Sequence, residues 1–198
     1  MKEVIIATNN AHKVSEIKNA LDFEGWSFRT LKEAGIVSDP EETGTTFLEN
    51  ARIKARAAFE ASGKPSLADD SGLIVDALDG APGVFSSRYA GEEGNDEANN
   101  QKLLSALKQV PFEKRTARFM CCLVFIDEDG SETTAQGTIE GRIGYEARGE
   151  EGFGYDPLFL AEQYNFEVTT AEISQAEKNK ISHRGNALRN LRKKLLAK

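Results

Sequence analysis

Two carboxylates, Asp69 and Asp70, stand side by side in the stretch ADDSGL (68–73), directly after the apolar Leu67 and Ala68. An unpaired buried carboxylate is costly, so such a pair requires water, a cationic partner or a metal. Read alone, DDSG is also an ordinary solvated turn. Other stretches carry groups that could partner it. TNNAHK (8–13) separates an apolar run from a helical pattern, where free backbone N–H groups and the positive helix end form an anion site. Thr8, Asn9 and Asn10 add donors, and Lys13 falls in the first helical turn, where a cation is misplaced unless an anion is near. It lacks the G-x-x-x-x-G-K of a P-loop, and an Asn N-cap with a chance lysine is the simpler local explanation.

PEETG (40–44) places Glu41 and Glu42 just before a second helical pattern that carries Lys54. Solvation explains both glutamates, yet Mg²⁺ needs only one or two carboxylates beside phosphate oxygens, and Asp70 with a glutamate would suffice. EEGFGYDP (150–157) sets Phe153, Tyr155 and Asp156 among flexible glycines. Such a loop can fold over a planar base, with Phe153 stacking and Asp156 bonding an edge; a tight loop with one buried aromatic competes with that reading. EKNKISHR (177–184) adds Lys178, His183 and Arg184. Together, a phosphate cradle, carboxylates, an aromatic loop and a cation cluster are what a metal-assisted nucleotide hydrolase requires.

The elements that must position these residues read as mixed α/β. EVIIA (3–7) has the continuous apolar character of a strand buried on both faces, and Val14, Ile17, Ala20 and Leu21 then form a helical stripe. Thr46 and Glu49 make a capping box for a second helix that Gly63 and Pro65 end. PSLADDSGLIVDAL reads as strand, turn, strand. A helix is expected over about 95–108, from the spacing of Leu103, Leu104 and Leu107. RFMCCLVFI and the Thr-rich TTAQGTIEG form a hairpin around Asp129-Gly130, and GFGYDP leads into a short apolar strand. Leu188, Leu191 and Leu195 define a basic C-terminal helix whose cations suit the helix dipole and solvent.

At 198 residues, with 39% hydrophobic and 29% charged side chains, the chain is expected to form one globular unit of one or two lobes. Its net charge of −7 argues against a non-specific grip on nucleic acid. Its only cysteines, the neighbours Cys121 and Cys122, read as small core residues of a cytoplasmic protein rather than a zinc site or ordinary disulfide. No stretch has the roughly 18 apolar residues of a membrane span.

TNNAHK, PEETG with TFLENARIKA, ADDSGL, PGVFSSRYAG, GFGYDP and EKNKISHR, in this order and nearly end to end, resemble the inosine triphosphate pyrophosphatase family. Phe85, where many relatives have Tyr, is a mild variation. The resemblance implies a mixed α/β fold with an elongated central sheet flanked by helices, in a single bilobed domain with the substrate cleft between its lobes. It implies Mg²⁺-dependent hydrolysis of ITP, dITP and XTP to monophosphate and pyrophosphate by a cytoplasmic homodimer. By the same resemblance, Thr8, Asn9, Asn10, Ala11, His12, Lys13 and Lys54 grip the triphosphate. Asp70 is then general base and metal residue, Glu41 a second metal ligand, Ser71 a substrate contact and Asp69 a supporting partner that sequence alone does not separate from Asp70. Phe153, Gly154, Tyr155, Asp156, Lys178, His183 and Arg184 form the base pocket. Selectivity follows if donors meet the 6-oxygen of hypoxanthine or xanthine and leave buried groups unpaired against adenine. A pyrimidine-directed relative and a nucleotide sensor that does not cleave are the alternatives.

Overall fold

The computed structural model describes residues 2–8 and 10–197. Strands β1 (Lys2–Ile6), β2 (Trp26–Thr30), β3 (Ser66–Val75), β4 (Thr116–Ile126), β5 (Glu132–Ile143) and β6 (Phe159–Ala161) form one sheet in the order β2-β1-β3-β4-β5-β6. The helices are α1 (Ala11–Ala20), α2 (Phe47–Ser62), α3 (Asp96–Ala106), α4 (Gln175–Ile181) and α5 (His183–Leu196). β1 runs parallel to both β2 and β3, and β5 pairs antiparallel with β6. Among the described residues no helix is long and apolar enough to cross a membrane.

The contacts divide the chain into two compact units. Unit 1 comprises Met1–Ser71, Cys121–Gly137 and Arg184–Lys198; unit 2 comprises Gly72–Met120 and Thr138–His183. In unit 1 the strands are covered on both faces, which is why Val4, Ile5 and Ile6 of β1 form an unbroken apolar run. Val4 and Ile6 pack with Ile17 and Leu21 of α1 and with Ala187, Leu188 and Leu191 of α5. Ile5 and Ala7 point the other way, onto Ala51, Ala55 and Ala58 of α2. α2 has the expected punctuation: Thr46 and Glu49 form the reciprocal capping box, and Gly63 closes the helix in the left-handed region at φ 63°. In unit 2, Leu73 and Val75 of β3, Leu103 of α3 and Leu107 pack with Phe119, Ile139, Tyr155 and Phe159. Arg115 is buried there and donates to the carbonyls of Val110, Gly144 and Leu107.

One element departs from expectation. DDSG is no turn: β3 runs unbroken from Ser66 to Val75 through both aspartates and Gly72. Turn preference is a local property, whereas the cations that allow two carboxylates inside a buried strand come from distant helices.

Candidate active site

Successive residues of a strand face opposite sides of the sheet. Asp69 therefore shares the face of Leu67, which packs with α1 and α5, and Asp70 shares the face of Ala68, which packs with α2. Each aspartate meets the cations of its own helical layer. Asp69 Oδ2 lies 3.0 Å from Lys13 Nζ and accepts from Arg184 Nε at 3.3 Å, and its side chain is 0% exposed. Arg184 is fixed from two further sides, donating to Glu16 Oε2 at 2.6 Å and to Ser71 Oγ at 3.1 Å. On the opposite face Lys54 Nζ donates to Asp70 Oδ1 at 2.9 Å and stands 3.4 Å from Glu42 Oε1.

The two neighbours consequently titrate in opposite directions. Burial alone would raise the Asp69 carboxyl, but Lys13, Arg184 and Lys54 outweigh it and hold the group well below the usual carboxylate range. Asp70 is raised: burial exceeds the help from Lys54, and the nearby Glu42 adds like-charge repulsion. Burial opposes the charge on Lys54, yet Asp70, Asp69 and Glu42 together raise its ammonium above its ordinary value. A pair of carboxylates driven apart in this way separates a fixed anion, Asp69, from a proton acceptor, Asp70.

The phosphate-cradle residues lie beside this centre. Asn10 caps α1, its Oδ1 accepting from the backbone N–H groups of His12 and Lys13, and Thr8 Oγ1 accepts from Asn10 N. Ala11 and His12 open α1 on its exposed side. Asn9, named with them, lies outside the described residues. The anion that Lys13 demanded is Asp69. Glu41 is exposed; it is its neighbour Glu42 that reaches Lys54.

Among the described residues, no three His, Cys, Asp or Glu side chains group as metal ligands. The chemistry present still suits a hard divalent cation completed by phosphate oxygens. Asp70 and Glu42 repel one another across Lys54, and Asp69 Oδ1 is buried without a hydrogen-bond partner.

The aromatic loop is built inside unit 2, and its residues are held more completely than base contact alone requires. The buried Asp156 carboxylate accepts from Phe153 N at 2.9 Å, Thr170 Oγ1 at 2.7 Å and Lys178 Nζ at 2.5 Å. It is the brace of the loop rather than an edge free to read a base. Gly152, at φ 77°, has no room for a Cβ against that carboxylate. Tyr155 is buried and donates from its hydroxyl to Ser86 O at 2.7 Å. Lys178 Nζ lies 4.8 Å from the Phe153 ring centre, and His183 stacks on Phe119 with ring centres 5.0 Å apart. Arg184, expected in the base pocket, is instead bonded to Asp69, Ser71 and Glu16 within unit 1. Glu16 and Thr170 were not anticipated, because a helical glutamate and an isolated threonine look like solvated residues in sequence.

A carboxylate pair on a partly parallel sheet, flanked by Lys13 in the first turn of α1 and Lys54 in the middle of α2, defines the centre of this α/β protein. The chain belongs to the Ham1 family, whose model matches residues 4–194. It is 51% identical over 198 residues to the dITP/XTP pyrophosphatase of Bacillus subtilis, covering 100% of this chain and 98% of that one. It is 50% identical over 196 residues to the dITP/XTP pyrophosphatase of Haemophilus influenzae, covering 98% and 99%. The solved Ham1 protein of Coxiella burnetii superposes with a TM-score of 0.91 at 44% identity, covering 100% of both chains. The Staphylococcus aureus Ham1 protein gives 0.90 at 41% identity, covering 99% of each.

Proposed function

We propose that this protein is a nucleoside-triphosphate pyrophosphohydrolase that cleaves the non-standard purine nucleotides ITP, dITP and XTP to monophosphate and pyrophosphate. The observation that carries the reading is the placement of Asp69 and Asp70 on the two faces of β3, each paired with the lysine of its own helix, in a chain about half identical to dITP/XTP pyrophosphatases over its full length. Asp70 accepts the proton of the attacking water. The water oxygen bonds to the α-phosphorus as the bond to the bridging oxygen of the pyrophosphate leaving group breaks. Lys54 neutralises developing phosphate charge and orients Asp70 through their 2.9 Å contact. Asp69 holds Lys13 at the start of α1, where its ammonium and the helix end attract the phosphates. Mg²⁺ is the cation assigned here; Asp70 and Glu42 would hold it, and it would supply charge neutralisation and activation of water.

On this reading the protein is a single bilobed domain acting on nucleotides as a cytoplasmic homodimer without nucleic-acid or membrane partners. Phe153 stacks on the purine, while Lys178, His183 and the loop backbone supply the polar contacts that favour a 6-oxo group. Asp70→Asn tests the assignment: kcat is expected to fall roughly 10²–10⁴-fold with the circular dichroism spectrum unchanged. A variant of full activity would remove Asp70 from the chemistry.

A further inference from the structure

The residue at the centre of the aromatic loop is gripped from outside the loop. Gly154 N donates to Asp96 Oδ2 at 2.7 Å, and Gly154 O accepts from Asn100 Nδ2 at 2.9 Å. Asp96 and Asn100 are four residues apart on α3, so they stand one above the other on the same helical face. The N–H of the Phe153–Gly154 peptide and the C=O of the Gly154–Tyr155 peptide are thus both clasped by one rigid helix. Gly154 adopts φ 62°, a conformation that favours glycine, and it separates Phe153 from the anchored Tyr155. The amide orientation of Asn100 is dictated by its partner, since a carbonyl accepts only from the NH₂ end. That leaves Asn100 Oδ1 buried with no hydrogen-bond partner, an arrangement that serves the loop at the helix's expense.

We infer that Asn100, with Asp96, is a positioning residue for substrate selection: the clasp on Gly154 fixes the Phe153 ring in the attitude that receives the purine. The inference rests on the assignment of this loop to the base. The other braces reach Phe153 and Asp156 rather than Gly154: the Asp156 carboxylate accepts from Phe153 N, Thr170 Oγ1 and Lys178 Nζ, and Phe153 O accepts from Asp156 N. The side chains that hold Gly154 itself come from α3.

Asn100→Ala removes the donor, and Asn100→Gln restores one at slightly longer reach. Steady-state hydrolysis of dITP is measured for both, together with inhibition by inorganic tripolyphosphate, which carries the phosphates without a base. Asn100→Ala is expected to raise KM for dITP roughly three- to tenfold with kcat nearly unchanged. The tripolyphosphate inhibition constant should stay within about twofold, and Asn100→Gln should recover much of the loss. Asp96→Ala should give the same split. An unchanged KM in Asn100→Ala, or an equal loss of dITP affinity and tripolyphosphate inhibition, would overturn the positioning role. Absence of dITP turnover in the unmodified protein would instead count against the function itself.

Discussion

Replacing Asp69 by Asn isolates the electrostatic centre of unit 1. The substitution keeps the shape of the side chain but removes an anion with 0% exposure that lies 3.0 Å from Lys13 Nζ and 3.3 Å from Arg184 Nε. Removing one partner of a buried ion pair costs about 3–5 kcal/mol. Lys13 is partly exposed and Arg184 retains Glu16 at 2.6 Å, which places the loss at the lower end, about 3 kcal/mol. For a chain of this size that corresponds to a fall in Tm of roughly 6–12 °C, at about 2–4 °C per kcal/mol. The loss should depend on pH in a specific sense. The folded pKa of Asp69 is depressed below its ordinary value of 3.8, so its stabilisation is complete above that value and disappears as pH falls through the lower, folded one. Thermal unfolding followed by circular dichroism should show a Tm difference that is constant between about pH 7 and about pH 5 and begins to narrow only below 3.8, toward the depressed folded value. A Tm difference below about 2 °C at pH 7, or one that already closes between about pH 7 and about pH 5, would refute the assignment of Asp69 as a fixed anion.

Two smaller perturbations test the surrounding architecture. Thr46→Ala removes the side-chain acceptor of Glu49 N and should lower stability by about 1 kcal/mol in denaturant unfolding, with Thr46→Ser close to the original; no loss would mean the capping box is idle. Burial pushes the Cys122 thiol up to about 11 and the fully buried Cys121 higher still. At pH 8 the thiolate fraction of Cys122 is therefore about 0.1%, against roughly a quarter for an ordinary cysteine. Iodoacetamide should label the native protein at least about a hundredfold more slowly than the unfolded chain, and equal rates would contradict the burial.

The legible parts of this molecule are those whose physics is local. The apolar run of β1, the stripe of α1, the Thr46–Glu49 box and the Asp129-Gly130 hairpin depend on neighbours a few residues away, and each stands where its pattern indicates. The edge strand β2 was not anticipated, because Trp26–Thr30 is half-buried throughout and its alternation, with Trp26 and Phe28 on the core, is only five residues long. The continuity of β3 through Asp69 and Asp70 depends on Lys13, Lys54 and Arg184, up to 115 residues away, and no local rule carries that information. A separation of 168 residues likewise hides the role of Glu16 in holding Arg184. Glu41 and Glu42 are indistinguishable as adjacent loop glutamates, and the chain direction into α2 decides which of them meets Lys54.

The central claim is that Asp70 serves hydrolysis at the α-phosphorus of 6-oxopurine triphosphates. The most direct measurement incubates the protein with dITP, XTP, dATP and dGTP in Mg²⁺ and quantifies pyrophosphate and orthophosphate separately. Pyrophosphate released from dITP and XTP, with dATP and dGTP left intact, is the expected result. Orthophosphate would place the attack at the γ-phosphorus, and equal turnover of dATP would remove the 6-oxo selectivity; either contradicts the account.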